Sequence, residues 1–343
     1  MGSGNIIIIL LAEVLMIPNN LNGSFGKILF FDDFNDNIKD HGKWTEIYSE
    51  GTWEEMNQRA EFKLYEAGSG SDYEGIESKE FTISLSLNQE LIISWDLTTN
   101  IGSTTSTGGI WFEVTDGTNW IKANYERWHD ETRYRDSNDE TYTILNSNKG
   151  DGSWNNEIKI FSDRYLVRMD ADSGGPIYDT LFSSNATLNV RLYVISCADQ
   201  PSLYFRSGYD NVYVYYANQP PEIPIIYGPL NGKAGRSYVY SASTIDPDKD
   251  KVYYWFDWGD GTNSGWTGPY ESGVTASESH IWNAQGEYIV KVKAKDIYEA
   301  ESTWATQKVT MPKNKAFIFN FLLLSWLFER FPLLQKLLNF ILD

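Results

Sequence analysis

The sequence predicts an all-β protein: an N-terminal jelly-roll β-sandwich, then a second all-β unit, and last a short hydrophobic helical C-terminal tail. Three observations carry this prediction. Between Ile28 and Tyr216, short alternating or apolar runs recur between clusters of Gly, Asn, Asp and Ser, with no long amphipathic helix among them. A stiff, proline-rich break follows at Asn218-Gln219-Pro220-Pro221-Glu222-Ile223-Pro224, and beyond it a second set of such runs extends to Met311. Aromatic residues make up 15% of the 343-residue chain, with 13 Trp and 22 Tyr, types that favour strands.

Charge narrows the partners. Lys and Arg number 28 against 47 Asp and Glu, a net charge of −19. Most of it, −17, belongs to the first 218 residues, with −3 on residues 219–314 and +1 on the tail. That balance argues against nucleic acid, because phosphate contacts need clustered Lys and Arg. The single cysteine, Cys197, excludes an intrachain disulfide, and with only the scattered His41, His129 and His280 it builds no zinc site.

At the N-terminus, residues 1–24 hold the apolar runs Ile6–Leu11 and Val14–Ile17 before Pro18-Asn19-Asn20. This resembles the apolar region of a secretory signal, although no Lys or Arg precedes it and Glu13 interrupts it. Export is the expectation. The triplets Asn22-Gly23-Ser24 and Asn185-Ala186-Thr187 would then be glycosylation acceptors.

The first domain is expected over residues 25–217. Its runs are Arg59–Tyr65, Phe81–Leu87, Glu90–Leu97, Ile110–Val114, Trp120–Trp128, Glu157–Phe161, Tyr165–Met169, Leu188–Ile195 and Asn211–Tyr216. In the Trp120–Trp128 run, period-two alternation places Trp120, Asn124, Glu126 and Trp128 on one face and Ile121, Ala123 and Tyr125 on the core side. The first set is too polar for a core and too aromatic for an ordinary solvent face. Sugars are recognised by aromatic faces with amides, carboxylates and Arg around them. Trp120, Asn124, Glu126 and Trp128, with the nearby Arg133 and Tyr134, are therefore the candidate ligand-binding residues. The alternative is a sheet face covered by a neighbouring loop.

Both ends of this domain resemble concanavalin-A-like (laminin-G-like) jelly rolls. The opening is Phe30-Phe31-Asp32-Asp33-Phe34-Asn35-Asp36, then Lys43-Trp44 and Gly51-Thr52-Trp53; the ending is Tyr204-Phe205-Arg206-Ser207-Gly208-Tyr209-Asp210-Asn211-Val212-Tyr213-Val214-Tyr215. The resemblance implies that the first and last strands pair. Such folds host both lectins and enzymes, so the site must decide. Retaining glucanases of this fold carry E-x-D-x-x-E on one strand, with carboxylates about 5 Å apart. No predicted strand carries that spacing, and the Gln-x-His strand of alginate-lyase-like enzymes is missing. The expected function is non-catalytic carbohydrate binding or adhesion. The alternatives are a glycoside hydrolase or polysaccharide lyase with diverged catalytic residues, and a purely structural cell-envelope protein.

After the linker at 218–224, the second domain is expected over 225–314. Asp246-Pro247-Asp248-Lys249-Asp250 leads into Trp255-Phe256-Asp257-Trp258-Gly259-Asp260-Gly261, and Gly286-Glu287-Tyr288-Ile289-Val290 opens a closing strand. These three pieces resemble a PKD-type module, an immunoglobulin-like sandwich common on cell surfaces. The resemblance implies a spacer or adhesion unit and no catalysis. Asp246, Asp248, Asp250 and Asp257 are candidate Ca²⁺ ligands, since a hard cation takes several carboxylate oxygens. The alternative is a solvated turn whose aspartates cap backbone amides.

In the tail, 315–343, Phe317–Phe328 is largely apolar, Glu329-Arg330 and Pro332 interrupt, and Leu333, Leu334, Leu337, Leu338 and Ile341 fall at helical spacing. Neither run reaches the roughly 20 residues of a spanning helix. The tail is similar to endings of archaeal exported proteins with PKD modules. It is expected to attach the protein to a membrane or envelope, or to fold back on the body. The expected location is extracellular, at the cell surface, and the expected partner is a polysaccharide or another surface component.

Overall fold

The computed structural model describes residues 25–65, 71–86, 89–99, 103, 108–178, 181–196, 204–311 and 329–331. The expected export segment at 1–24 lies outside them, as does nearly all of the expected helical tail. Among the described residues no helix is long and apolar enough to cross a membrane. The chain divides into two compact units, Met1–Gln219 and Pro220–Asp343.

The first unit is a sandwich of two eight-stranded antiparallel sheets. In the first sheet the order is Asp172–Ile177, Tyr165–Met169, Ser153–Ile160, Leu91–Thr98, Tyr204–Ala217, Arg59–Tyr65 and Gly51–Met56, with Phe25–Asp32 also paired to Tyr204–Ala217. In the second it is Thr143–Asn146, Glu131–Asp136, Trp120–Glu126, Gly108–Thr115, Thr187–Ser196, Asp72–Ser78 and Trp44–Ser49, with Phe81–Thr82 also on Thr187–Ser196. The first and last strands pair, Phe31 opposite Tyr213. A bulge makes this possible: Asn211 adopts a φ of 49°, and the register shifts between Asp210 and Tyr213. The long strand thus serves Arg59–Tyr65 with its first half and Phe25–Asp32 with its second.

Alternation builds the core. Ile93, Trp95 and Leu97 face inward from the first sheet; Ile110, Phe112 and Val114 meet them from the second. Trp95 stacks on Phe112 with centroids 3.7 Å apart. The Tyr209 hydroxyl crosses the sandwich to the carbonyls of Trp111 at 2.5 Å and Tyr193 at 3.1 Å. Two of the buried acids are shifted strongly upward. Glu55 is pushed up to about 8, first by burial and then by its hydrogen bond to Asp36 and the charge of Asp32. Burial pushes Glu74 up to about 7, against the Gly51 N–H it accepts at 3.0 Å.

The second unit pairs a three-stranded sheet (Ile225–Tyr227, Ser237–Ser243, Ala276–Ile281) with a four-stranded one (Asn263–Tyr270, Val252–Asp257, Gly286–Asp296, Ala305–Met311). Its own core gathers Tyr240, Tyr254, Phe256, Trp258, Trp282, Val290 and Val292. Gly259 has a φ of 74°, and a Cβ there would meet the Ile289 carbonyl at 2.5 Å, so the turn requires glycine.

Candidate functional site

The site is built on three neighbouring strands of the second sheet. Asp116 closes the hairpin between Gly108–Thr115 and Trp120–Glu126 by accepting the N–H groups of Thr118 and Asn119, at 2.9 and 2.7 Å. That turn sets the register, Trp111 opposite Asn124 and Thr115 opposite Trp120. A second turn, with Asp130 at a φ of 57°, returns the chain as Glu131–Asp136 and puts Arg133 opposite Asn124. Beyond it, Asp136 accepts the N–H groups of Asn138 and Asp139, and Asp139 accepts that of Thr141. These bonds fold the loop so that Tyr142 lies over the strands. The buried Asp136 carboxylate is itself held by the Tyr165 hydroxyl of the other sheet.

The outward face that results is aromatic and cationic. Trp111 is buried on it, stacked on Tyr193 at 5.9 Å and edge-on to Tyr142 at 5.9 Å. The Arg133 guanidinium lies 3.9 Å from the Tyr142 ring centre. Arg135 sits among three rings, 4.4 Å from Tyr142, 5.4 Å from Trp120 and 5.7 Å from Trp111. Such stacking over an aromatic face contributes about 0.5–2 kcal/mol per cation and fixes the guanidinium plane. Lys122 covers the other end of Trp120 at 4.5 Å. Burial raises the Tyr142 hydroxyl, outweighing the lowering by Arg135 and Arg133, so it remains protonated in neutral solution.

Carboxylates on this face are tied to arginines. Glu126 and Glu131, opposite each other in register, both pair with Arg133. Arg191 likewise bridges Glu77 and Glu113, at 2.6 and 3.0 Å, and Lys122 adds a second cation to Glu113 at 3.1 Å. His129 Nδ1 stands 3.5 Å from Glu126. Asn124 is the exception to this pairing: it is fully buried between Trp111 and Arg133, and neither its amide oxygen nor its amide nitrogen has a hydrogen-bond partner. A buried unpaired amide costs about 1–3 kcal/mol, which marks the spot as one where a polar partner is missing.

Four of the six expected ligand-binding residues, Trp120, Asn124, Glu126 and Arg133, share this face. Two do not. Tyr134 points inward and belongs to the core, because Arg133 and Arg135 take the outward positions of its strand. Trp128 lies past the strand, which ends at Glu126; the turn carries it off the face, 64% exposed and stacked on His129 at 6.2 Å. Trp111 and Tyr142 were missed. The signal for Trp111 was present, since Ile110, Phe112 and Val114 facing the core leave it outward; nothing local placed Tyr142.

In the second unit, one carboxylate oxygen each from Asp246, Asp248 and Asp250 lie within 4.8 Å of one another. Asp246 is fully buried; its Oδ1 accepts the N–H groups of Asp248 and Asp250 at 2.9 and 3.1 Å, while its Oδ2 has no partner. Asp257 is not part of this group. It ends the strand Val252–Asp257, roughly 16 Å of extended chain beyond the loop, and caps the Gly259 N–H at 2.9 Å.

A family model described as PKD domain matches residues 218–311. The PKD domain of an M14-like peptidase from Thermoplasmatales archaeon SCGC AB-540-F20 is 49% identical over 28% of this chain and 100% of that chain, with a TM-score of 0.28. The first unit matches LamAcat from Zobellia galactanivorans at 12% identity, covering 56% of this chain and 98% of that chain, with a TM-score of 0.40. It matches a Bacillus licheniformis β-glucanase at 11% identity, covering 54% and 97%, with a TM-score of 0.39. No curated protein matches the chain.

Proposed function

Through residues 218–311 the chain belongs to the PKD domain family, and from that premise we propose a surface-held, non-catalytic carbohydrate-binding protein. The first sandwich binds the glycan and the PKD domain serves as its spacer. The observation that carries this reading is the outward face of the second sheet. There the half-exposed rings of Trp120 and Tyr142 flank Arg133, Arg135 and the unsatisfied Asn124 amide. Rings supply flat apolar surface for the C–H faces of a pyranose, and fixed polar groups beside them orient its hydroxyls.

Catalysis fits this face less well. A glycosidase needs one carboxyl to give a proton and a second to act as nucleophile or base. Here both carboxylate pairs, Glu126 with Glu131 and Glu77 with Glu113, are bridged by an arginine, so neither presents two free carboxyls to a sugar.

A polysaccharide panel scored for binding and for reducing-end release tests the reading. The expected result is binding without release, and a loss of at least tenfold in affinity for the double variant Trp120→Ala, Tyr142→Ala at an unchanged melting temperature, from about 1 kcal/mol or more per lost ring contact. Release of reducing ends would sink the non-catalytic assignment. Unaltered binding by the double variant would move the site elsewhere.

For the PKD domain we propose Ca²⁺ on Asp246, Asp248 and Asp250. Three hard oxygen donors from one loop suit it, and the unpartnered, buried Asp246 Oδ2 supports the choice. A ligand at a hundredfold excess over its Kd stabilises by about 2.7 kcal/mol, so 2 mM CaCl₂ should raise the melting transition of this unit by several degrees. Asp248→Asn should abolish that rise. A transition that ignores Ca²⁺ leaves the aspartates as caps of the loop.

A further inference from the structure

We propose that the glycan bound on the second sheet is acidic, and that its carboxylate or sulfate docks on Arg135. The inference rests on the carbohydrate-binding reading above and adds the charge of the sugar. It starts from an imbalance among the cations of the face. Lys122 and Arg191 share Glu113, Arg191 also holds Glu77, and Arg133 is claimed by Glu126 and Glu131. Arg135 is different. Among the described residues no carboxylate lies within ion-pair distance of it; its one hydrogen bond runs from Nη1 to the Glu140 carbonyl at a long 3.4 Å. In a domain of net charge −17, a cation left unmatched on a face so rich in acids is held for something else.

Donors without acceptors point the same way. The Nε of Arg133 and the Nε of Arg135 are buried and unpartnered, and on the adjacent strand the Asn124 amide leaves both its nitrogen and its oxygen unpartnered. A ligand that satisfies three N–H donors must bring acceptor oxygens, and an oxyanion brings the most in the least space. The rings around Arg135 fix its plane, so the guanidinium is already oriented for a two-point contact. Repulsion from the rest of the domain does not forbid the contact. At physiological salt it is screened beyond ~8 Å, whereas the oxyanion would touch Arg135 directly.

The test is a titration of the full chain with polygalacturonate, alginate, chondroitin sulfate and λ-carrageenan, against laminarin, cello-oligosaccharides and fully methyl-esterified pectin. At least one acidic polymer should bind tenfold or more tighter than every neutral one, and uronates against sulfate esters identify the oxyanion. Arg135→Gln should remove that tenfold preference, with Arg135→Lys in between because it keeps the charge and loses the fork. Affinity for the acidic polymer should also fall severalfold as NaCl rises from 50 to 500 mM, a dependence that a purely structural Arg135 would not produce. Equal or tighter binding of a neutral polymer, or an Arg135→Gln variant that keeps the preference, overturns the inference and leaves the carbohydrate-binding reading standing. Binding of none of these polymers overturns both.

Discussion

Replacing Trp95 with alanine is expected to destabilise the first unit by about 3–5 kcal/mol, the usual cost of truncating a buried aromatic. Trp95 is 1% exposed and stacked on Phe112 at 3.7 Å, one ring from each sheet, so the cavity would open where the sheets meet. For a unit of this size that corresponds to a fall of roughly 10 °C in its melting transition. The second unit has its own core, so its transition should stay in place. Calorimetry on the full chain separates the two. Trp128→Ala is the matched control, since that ring is 64% exposed and its loss should change stability by no more than about 0.5 kcal/mol. If Trp95→Ala melts like wild type, the two sheets do not close on this stack. A large drop from Trp128→Ala would return that ring to the core.

The second large effect is a loss of stability as pH rises. Glu55, pushed up to about 8, and Glu74, pushed up to about 7, both hold protons in the folded state that the unfolded chain releases near pH 4.5. Between about pH 4.5 and 8 the native state therefore binds more protons than the unfolded one, and stability declines across that window. The decline is complete once pH passes the folded value of Glu55. At 1.36 kcal/mol per pKa unit, and discounted for relaxation of the site, Glu55 alone accounts for roughly 2–4 kcal/mol. Protonated Glu55 bonds Asp36, whose carboxyl is held below its ordinary value chiefly by the Ile38 N–H and then by this bond. Glu55→Gln keeps a neutral donor at the same place. Denaturant melts at pH 5, 6.5 and 8 should show the first unit weakening in wild type and a much flatter profile in Glu55→Gln. Equal slopes in the two proteins would remove Glu55 as the cause.

The strands legible in the sequence were those whose apolar residues alternate. Arg59–Tyr65 and Tyr165–Met169 have the expected ends, and Ile121, Ala123 and Tyr125 face the core. Strands without that signature were not legible. Gly51–Met56, Asp72–Ser78 and Glu131–Asp136 are not among the expected runs, because they are dense in Glu, Asp, Gly and Thr. Their acids are tolerated because Glu55 and Glu74 are buried with raised pKa values, and because Arg133 pairs with Glu131. The Phe81–Leu87 run errs the other way: among its described residues the strand is Phe81–Thr82.

By itself the sequence determined the inward and outward positions of the strand Trp120–Glu126, because backbone geometry alternates side chains without reference to neighbours. It determined the second module as well, because Gly259, Asp260 and Gly261 act through the local backbone of one turn. Only the tertiary structure decided which residues share the candidate site. Trp111, Asn124 and Arg133 became neighbours through sheet register, and Tyr142 joined them through a loop anchored on Asp136 and, across the sandwich, Tyr165. Sheet pairing is set by the packing of whole faces against each other, an energy no short stretch of sequence contains.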